Sequence, residues 1–203
     1  MLKIYHAKQA RSLRVVWLAE EIGMPHEIVH MPFNPAALKS EEFLRVNPFG
    51  AVPAIEDGGV RMTESGAICQ YLTEKYGQAP FKKVLGDPEY PAYLQWIHAG
   101  EATLTPPLGA IAQHTLIRPM ERRIGQVALE SQDTFRERMK VLEMHLSETG
   151  FLLGEDFTAA DVMVGYALHL AALLGLMAEA PHDVANYWAR LKERPAYQRA
   201  VAA

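Results

Sequence analysis

The sequence predicts a small α/β domain followed by an all-helical domain. Short apolar strands alternate with helices over residues 1–78, and the turn-rich segment 79–87 has the composition of a linker. Over residues 88–203 the long segments repeat their apolar residues with a helical period. The predicted fold class is therefore α/β plus all-α, in two domains joined by a short linker.

The first domain is predicted to contain the order strand, helix, strand, helix, strand, strand, helix. An Asp-Gly or Gly-Gly turn at residues 57–59 joins the last two strands as a hairpin. Ser65 is expected to cap the final helix through its hydroxyl, and Gly77 ends that helix. The first two strands are predicted over residues 2–5 and 26–31, the first helix over 12–22, and one short helix within 34–48.

The second domain is predicted to be a helix bundle. The long helix over residues 89–108 is expected to break near Pro106 and Pro107, because proline has no backbone N–H. The segment 159–178 is apolar and about long enough to span a bilayer. Because it contains Asp161 and His169, a helix in a protein core is the better interpretation. Further helices are predicted over residues 126–149 and 183–192.

Composition and charge exclude several classes of function. The chain has 203 residues and a net charge of -4, which lacks the basic footprint of a nucleic-acid-binding protein. One cysteine among 203 residues excludes an intrachain disulfide framework and a cysteine-rich zinc site. Residues 2–5 already form a predicted strand, so we expect no secretory signal and a cytoplasmic location. We also expect no membrane segment.

The loop that opens the chain, within "IYHAKQARSLRVVWLAEE", has the chemistry of an anion site. It leads from a strand into a helix N-terminus, where free N–H groups and the helix dipole stabilise a thiolate. Arg11 adds positive charge, whereas Arg14 falls within the helix and is expected to form a structural salt bridge. Ser12 is equally consistent with a helix N-cap and with a ligand contact.

Two further motifs could bind a peptide-like ligand. If the Val52-Pro53 bond is cis, the backbone of Val52 is free to pair with an extended peptide; the alternative is a trans proline that begins an edge strand. Ser65 begins a helix, where a carboxylate binds, and Glu64 beside it suits an ammonium group. The alternative is an ordinary N-cap with a solvated glutamate.

Three other residue patterns are expected to be structural or weak. Cys69 lies among apolar residues of a helix, so a buried thiol is expected rather than a nucleophile. His98 and Glu101 are spaced for metal binding, but without a third ligand nearby we expect no metal site. Thr158 and Asp161 resemble a capping box that starts the long buried helix.

Taken in order, these motifs resemble the cytosolic glutathione S-transferase family, in its bacterial and fungal branch. The resemblance covers the whole chain and rests on "YHAKQARSLRVVWLAEE", "NPFGAVPAIEDGG", "TESGAICQYL", "FLLGEDFTAADVMVGYAL" and "YWARLKERPAYQRA". It implies a thioredoxin-like βαβαββα domain over residues 1–78, a helical domain over 88–203 and a homodimer. Glutathione is the implied co-substrate of a detoxifying transferase, and no metal is implied.

The resemblance also implies residue roles. Pro53 corresponds to the family's cis-proline, and Val52 pairs with the cysteinyl backbone of glutathione. Glu64 and Ser65 hold the γ-glutamyl group, Lys39 meets the glycyl carboxylate, and Arg11 lies at the same site. The implied pocket for the second, hydrophobic substrate lies between the domains, against a helix that carries His98, Glu101 and Thr105.

The sequence departs from the family pattern in the opening loop. Relatives of this branch place a serine at position 10 or a cysteine at position 11, where this chain has Ala10 and Arg11. Ser12 is then the first candidate for the activating group, with Tyr5 second. We expect a transferase whose glutathione thiolate attacks a hydrophobic electrophile. The alternatives are a glutathione-binding protein with little turnover and a glutathione-dependent lyase, dehalogenase or reductase.

Overall fold

The computed structural model describes residues 1–146 and 150–203 and confirms the predicted fold class, an α/β unit and a helical unit. One compact unit contains residues Met1–Lys82 together with Lys192–Ala203, and the other contains Lys83–Leu191. The sequence placed the C-terminal segment with the helical domain, whereas in the structure it packs on the first unit.

The strands of the first unit form one mixed sheet in the order β2-β1-β3-β4. Strand β1 runs parallel to β2 and antiparallel to β3, which pairs antiparallel with β4. In chain order the strands and α-helices are β1 (Leu2–His6), α1 (Leu13–Ile22), β2 (His26–His30), α2 (Pro35–Leu38), α3 (Glu41–Leu44), β3 (Ala54–Asp57), β4 (Val60–Thr63), α4 (Ser65–Tyr76), α5 (Tyr90–Ala99), α6 (Thr105–Ala112), α7 (Gly125–His145), α8 (Ala159–Leu173), α9 (His182–Glu193) and α10 (Pro195–Ala202).

The segment between β2 and β3 contains two helical turns where one short helix was predicted. The Asn34 side chain accepts a hydrogen bond from the Ala37 N–H at 2.9 Å and begins α2. Ser40 does the same for the Phe43 N–H at 3.2 Å and begins α3. Each turn has its own N-cap, so the helix does not continue from one turn into the next.

Helix α1 is buried and joins the C-terminal helix to the sheet domain. Every residue from Leu13 to Ala19 is buried. The Trp17 ring packs edge-on against the ring of Tyr197 in α10, with centroids 4.9 Å apart. Arg194, just before α10, donates two hydrogen bonds to the Glu21 carboxylate, at 2.6 and 2.7 Å. This bidentate pair and the aromatic contact hold residues 192–203 on the first unit.

The loop between β1 and α1 is held from inside by His6 and Ser12, which are 2% and 0% exposed. The Ala7 N–H donates to Ser12 Oγ at 3.1 Å, and Ser12 Oγ lies 3.0 Å from His6 Nδ1. Burial, with smaller contributions from His30 and Lys8, lowers the pKa of His6 to about 4. The imidazole is therefore neutral near pH 7, and its Nδ1 can accept a hydrogen bond from the serine hydroxyl.

In the helical unit the chain does not break at Pro106 and Pro107, contrary to the prediction. Helix α5 passes through a π-helical segment, Gly100–Leu104, into α6, whose first turn holds both prolines. The Thr105 hydroxyl donates to the Gly100 carbonyl at 2.6 Å. The π-helical turn ends one helix and begins the next, so both prolines lie in a first helical turn, where the missing N–H groups are tolerated. A second π-helical turn, Gln113–Ile117, and a 3-10 turn, Met120–Arg122, precede α7.

The predicted capping box at the start of α8 is confirmed. The Thr158 N–H donates to the Asp161 carboxylate at 2.8 Å, and the Ala160 N–H donates to Thr158 Oγ1 at 3.3 Å. The Leu152 N–H and the Tyr187 hydroxyl also donate to Asp161, at 2.9 and 2.8 Å. This carboxylate therefore joins the start of α8 to two distant segments, consistent with its complete burial.

Two predicted helices end earlier in the structure. Helix α8 stops at Leu173, because Gly175 takes a left-handed conformation with φ 76°. Helix α7 ends at His145, and residues 147–149 of the predicted segment lie outside the described residues. No helix in the described parts of the chain is both long enough and apolar enough to cross a membrane.

We expect Glu21→Gln to destabilise the first unit by about 2–3 kcal/mol, because a buried, bidentate partner of Arg194 loses its charge. Glu20→Gln is the matched control. Glu20 pairs with Arg199, whose side chain is 57% exposed, so this variant should lose about 1 kcal/mol of unfolding free energy or less. Denaturant unfolding of both variants measures the difference. Equal losses of unfolding free energy in the two variants would show that the pair of Glu21 and Arg194 stabilises the unit no more than the exposed pair does.

We expect stability to fall as the pH is lowered from about 6.5 to about 4, by up to about 3 kcal/mol from His6 alone. In this window the unfolded chain binds a proton that the folded imidazole does not. His6→Gln should flatten the pH dependence of the unfolding free energy, whereas His182→Gln, at a histidine whose side chain is 84% exposed, should leave it unchanged. An unchanged slope in His6→Gln would contradict the buried neutral imidazole.

Candidate functional site

The hydroxyl of Ser12 is turned into the protein, which corrects the expectation that it caps helix α1. Ser12 stands at the N-cap position of α1, but its side chain caps no helical N–H group. Its hydroxyl instead bonds Ala7 and His6, and no part of the residue is exposed. A ligand thiol could meet this hydroxyl only after the loop had rearranged.

The N-terminus of α1 also presents fewer free donors than expected. The N–H groups of Leu13 and Arg14 donate back to the carbonyls of Ala10 and Arg11, at 3.0 and 3.2 Å. The Val15 N–H donates to the Ser12 carbonyl at 3.1 Å. These tight turns satisfy the groups that a helix start normally leaves open. The helix dipole remains, and the exposed side chain of Arg11 lies next to it.

Ala10 occupies the position where relatives have the activating serine. It is 5% exposed and belongs to an apolar cluster with Ala7, Phe43 and Val52. Tyr5 is half-buried and packs against the same cluster, with its ring centroid 5.8 Å from that of Phe43. Position 10, Tyr5 and Val52 therefore belong to one packed group of side chains.

Tyr5 keeps its proton at neutral pH. Burial, and after it the carboxylate of Glu56, raises the pKa of the Tyr5 hydroxyl above its ordinary value. A phenol in this state cannot act as a base near pH 7, but it can donate a hydrogen bond to an anion.

Val52 presents an open stretch of backbone directly before β3. The Val52-Pro53 peptide bond is cis, the geometry that the resemblance implied. Within the residues that the structure describes, neither the N–H nor the C=O of Val52 makes a hydrogen bond. Backbone groups of a largely buried residue need a partner, and an extended peptide laid alongside provides one.

The start of α4 combines strain with charge. Glu64 is exposed and has φ 69° and ψ 106°, a conformation that side-chain-bearing residues rarely adopt. Such strain is common where a backbone is shaped for a ligand. The prediction that Ser65 caps the helix is wrong. Ser65 is the first helical residue, and its Oγ accepts a hydrogen bond from Arg14 Nη1 at 2.9 Å.

Lys39 lies against the segment that leads to Val52. Its Nζ donates to the Phe49 carbonyl at 2.7 Å, and the side chain is otherwise at the exposed surface. Gly50, with φ 59°, permits this close approach: a Cβ atom there would lie 2.7 Å from Lys39 Nζ. An ammonium group has three protons, so Lys39 can bind an anion while keeping this bond.

The three residues predicted for the second-substrate pocket differ in accessibility. His98 is exposed and Glu101, in the π-helical turn, is half-buried. Thr105 is 1% exposed, and its hydroxyl donates a hydrogen bond to the Gly100 carbonyl. Within the described residues, no group of three His, Cys, Asp or Glu side chains could hold a metal ion.

Cys69 is buried, as expected, and is not a nucleophile. It is 0% exposed, and burial raises the pKa of its thiol to about 12, although the charge of Arg14 acts in the opposite direction. A thiol in this state is neither accessible nor ionised near pH 7.

The sequence analysis did not identify the role of His6 or the bond between Arg14 and Ser65. His6 shares the alternation of Leu2 and Ile4 along β1, so a period of two already placed it on the buried face. No local signal identifies Ser65 as the acceptor of Arg14, because the two residues are 51 positions apart.

Comparison with known proteins identifies the family of this chain. The family model "Glutathione S-transferase, N-terminal domain" matches residues 1–74, and "Glutathione S-transferase, C-terminal domain" matches residues 120–199. "Glutathione S-transferase 3" of Schizosaccharomyces pombe is 31% identical, over 97% of this chain and 85% of the relative. "Glutathione S-transferase 1" of Zea mays is 32% identical, over 99% and 96%.

The solved structures most similar in fold include glutathione transferases, as the sequence relatives do. The glutathione transferase URE2P6 of Phanerochaete chrysosporium, in complex with oxidized glutathione, has a TM-score of 0.87 and 27% identity, over 98% of this chain and 94% of that one. Glutathione S-transferase-I bound with lactoylglutathione has a TM-score of 0.83 and 29% identity, over 99% and 98%. By two family models, its relatives and its fold, this chain belongs to the glutathione S-transferase family.

Proposed function

We propose that this enzyme binds glutathione and activates its thiol for attack on an electrophilic carbon of a hydrophobic acceptor. The thiol loses its proton to solvent, and the sulfur electron pair forms the new C–S bond. A leaving group then departs with its electron pair, or an activated alkene takes up a proton. The acceptor is proposed to bind beside His98 and Glu101 in a cytoplasmic homodimer.

The observation that carries the proposal is the backbone of Val52, whose N–H and C=O make no hydrogen bond to any residue that the structure describes. The cysteinyl residue of glutathione is an extended peptide unit with one N–H and one C=O, complementary to these two groups of Val52. Pairing there would hold the thiol close to the apolar cluster that contains Ala10 and Tyr5. The sulfur of glutathione would then face the loop that precedes α1.

The two ends of glutathione match the charges around Val52. The positive end of the α4 dipole attracts the γ-glutamyl carboxylate to Ser65, and the Glu64 carboxylate attracts the ammonium group. Lys39 supplies a cation for the glycyl carboxylate on the other side. Pro53 shapes the segment between these sites, and Arg11 adds positive charge at the loop.

Thiol activation is proposed to depend on Tyr5 and the charge at the α1 N-terminus, rather than on Ser12. Lowering a thiol pKa from about 8.5 by two units requires about 2.7 kcal/mol of thiolate stabilisation. One hydrogen bond to a charged group contributes about 1.5–3 kcal/mol. Tyr5 retains its proton and can supply such a bond, whereas the Ser12 hydroxyl is already engaged.

A second candidate function is reduction of glutathione-containing disulfides. URE2P6 was solved with oxidized glutathione, and a family member from Pseudomonas fluorescens, 25% identical with a TM-score of 0.86, with two glutathione molecules. In this reaction the bound thiolate attacks a disulfide sulfur, forms a new S–S bond and expels the other sulfur as a thiolate. Glutathione is the reductant, so the buried Cys69 takes no part. Lyase and dehalogenase reactions begin with the same thiolate.

The first test measures the ultraviolet thiolate absorbance of bound glutathione against pH. We expect a lowered thiol pKa in the wild type, no change in Ser12→Ala, and an increase of about one unit in Tyr5→Phe, which loses one charge-assisted hydrogen bond. Loss of activation in Ser12→Ala alone would reverse these assignments. An unshifted thiol in the wild type would favour a binding protein with little turnover.

Restoring the missing hydroxyl gives a complementary test. Ala10→Ser should lower the bound thiol pKa by about one further unit, because the hydroxyl would lie in the cluster beside Val52. Turnover with varied electrophiles should rise at neutral pH, and Ala7→Ser, in the same cluster, is the matched control. A variant that binds glutathione with an unaltered thiol pKa would show that position 10 does not face the sulfur.

A further inference from the structure

The connection between α6 and α7 exposes several large apolar side chains. The two helices pack against each other, so this connection lies at the end of a helical hairpin. We call its residues 116–124 the tip segment. Four of its side chains are 54–80% exposed, namely Leu116, Ile117, Met120 and Ile124. Single exposed apolar residues are ordinary on a protein surface, whereas several within one short segment indicate an interaction site.

The tip segment is held in shape by its own hydrogen bonds. Arg123 donates from Nε to the Arg118 carbonyl at 2.7 Å and from Nη2 to the Leu116 carbonyl at 2.8 Å. The Ile124 N–H donates at 2.9 Å to Nδ1 of His114, which is largely buried. The backbone is thus fixed while the apolar side chains remain outside. A surface that is already ordered loses less conformational entropy when it binds a partner.

Arginine side chains lie among these apolar residues. Arg118 and Arg122 are exposed, Arg123 is half-buried, and Glu121 is the acidic residue of the segment. Three arginines and one glutamate give the tip segment two net positive charges, whereas the whole chain has a net charge of -4. A guanidinium binds phosphate through paired N–H donors, and its aliphatic stem can lie along an apolar surface. The charge of the segment is therefore complementary to an anionic, phosphate-bearing surface.

We propose that the tip segment docks this protein on anionic lipid membranes. The apolar side chains enter the boundary between headgroups and acyl chains, and the arginines bind the lipid phosphates. This surface differs from the membrane span that the sequence analysis considered, because it lies on the bilayer rather than across it. The inference does not depend on glutathione binding, since the tip segment contains none of the residues assigned to glutathione.

A lipid surface fits the tip segment better than a protein partner does. A stable protein interface takes about 800 Å² and about 20–30 residues from each partner, more than one short segment at a hairpin end supplies. A membrane sets no such minimum, because each inserted apolar side chain and each basic residue near the headgroups adds to the affinity. A bilayer also adapts its surface to a protruding segment.

The experiment measures co-sedimentation of the full-length chain with two kinds of vesicle. One kind contains phosphatidylcholine alone, and the other contains phosphatidylcholine with an equal amount of phosphatidylserine. We expect binding to the anionic vesicles that weakens as salt is added, and binding to the neutral vesicles that is weaker by about tenfold or more. Binding that is independent of lipid charge would contradict the role of the arginines.

Charge reversal within the segment tests the arginines. Arg122→Glu should weaken binding to the anionic vesicles by about tenfold or more, because an attraction to the lipid becomes a repulsion. Arg45→Glu is the matched control, since Arg45 is an exposed arginine of the first unit. Equal losses of binding in the two variants would overturn the inference, because the net charge of the chain would then matter and the tip segment would not.

An apolar substitution tests insertion into the bilayer. Ile117→Ser should weaken binding to the anionic vesicles by about fivefold or more, because less apolar surface leaves water. Met144→Ser is the matched control, since the Met144 side chain is 86% exposed near the other end of α7. Both positions are on the surface, so both variants should fold, which thermal unfolding checks. Unchanged binding in Ile117→Ser would overturn the proposed insertion.

Two results would assign the surface differently. If the wild type binds neither kind of vesicle, the inference fails, whatever the protein does with glutathione. If, in addition, Ile117→Ser or Arg122→Glu changes the oligomeric state in analytical ultracentrifugation, the tip segment binds a second copy of this chain instead. Vesicle binding with an unaltered oligomeric state in these variants supports the membrane.

Discussion

The burial of helix α1 on all sides is the constraint on which the first unit depends. Seven consecutive residues, Leu13–Ala19, are buried, so the sheet, α4 and α10 must all pack around this helix. The return of the chain end to the first unit follows from this need. Trp17 and Glu21 provide the aromatic and ionic contacts that bind it. Without α10, one apolar side of α1 would face water.

The same helix ties together the segments that we assign to glutathione. At its N-terminus, Ala10 packs in one cluster with Val52, whose open backbone is proposed to receive the cysteinyl unit. One turn further, Arg14 reaches Ser65 at the start of α4. Two distant segments are thus positioned against one rigid element. A site built in this way keeps its geometry because the side chains that support it are buried.

Hydrogen bonds inside the loop between β1 and α1 explain why this loop offers fewer donors to a ligand than its sequence predicts. His6 and Ser12 satisfy each other and the Ala7 N–H, and the first turn of α1 closes its own N–H groups. The loop is therefore shaped by polar groups that face inward, and what remains for an anion is the dipole, the charge of Arg11 and the proton of Tyr5. A serine, if present at position 10, would have been placed in the cluster beside Val52 instead.

The sequence alone determined the order of the four strands and of helices α1 and α4 in the first unit, the hairpin, and the capping box of Thr158 and Asp161. These features follow from alternation, helical period and turn chemistry within a few residues. Only the tertiary structure decided that the Ser12 hydroxyl turns inward, that Thr105 bonds Gly100, and that Arg14 meets Ser65. The direction of a side chain at a helix start depends on which neighbour takes its hydrogen bond. That neighbour is selected by packing between segments far apart in the chain, which no local pattern encodes.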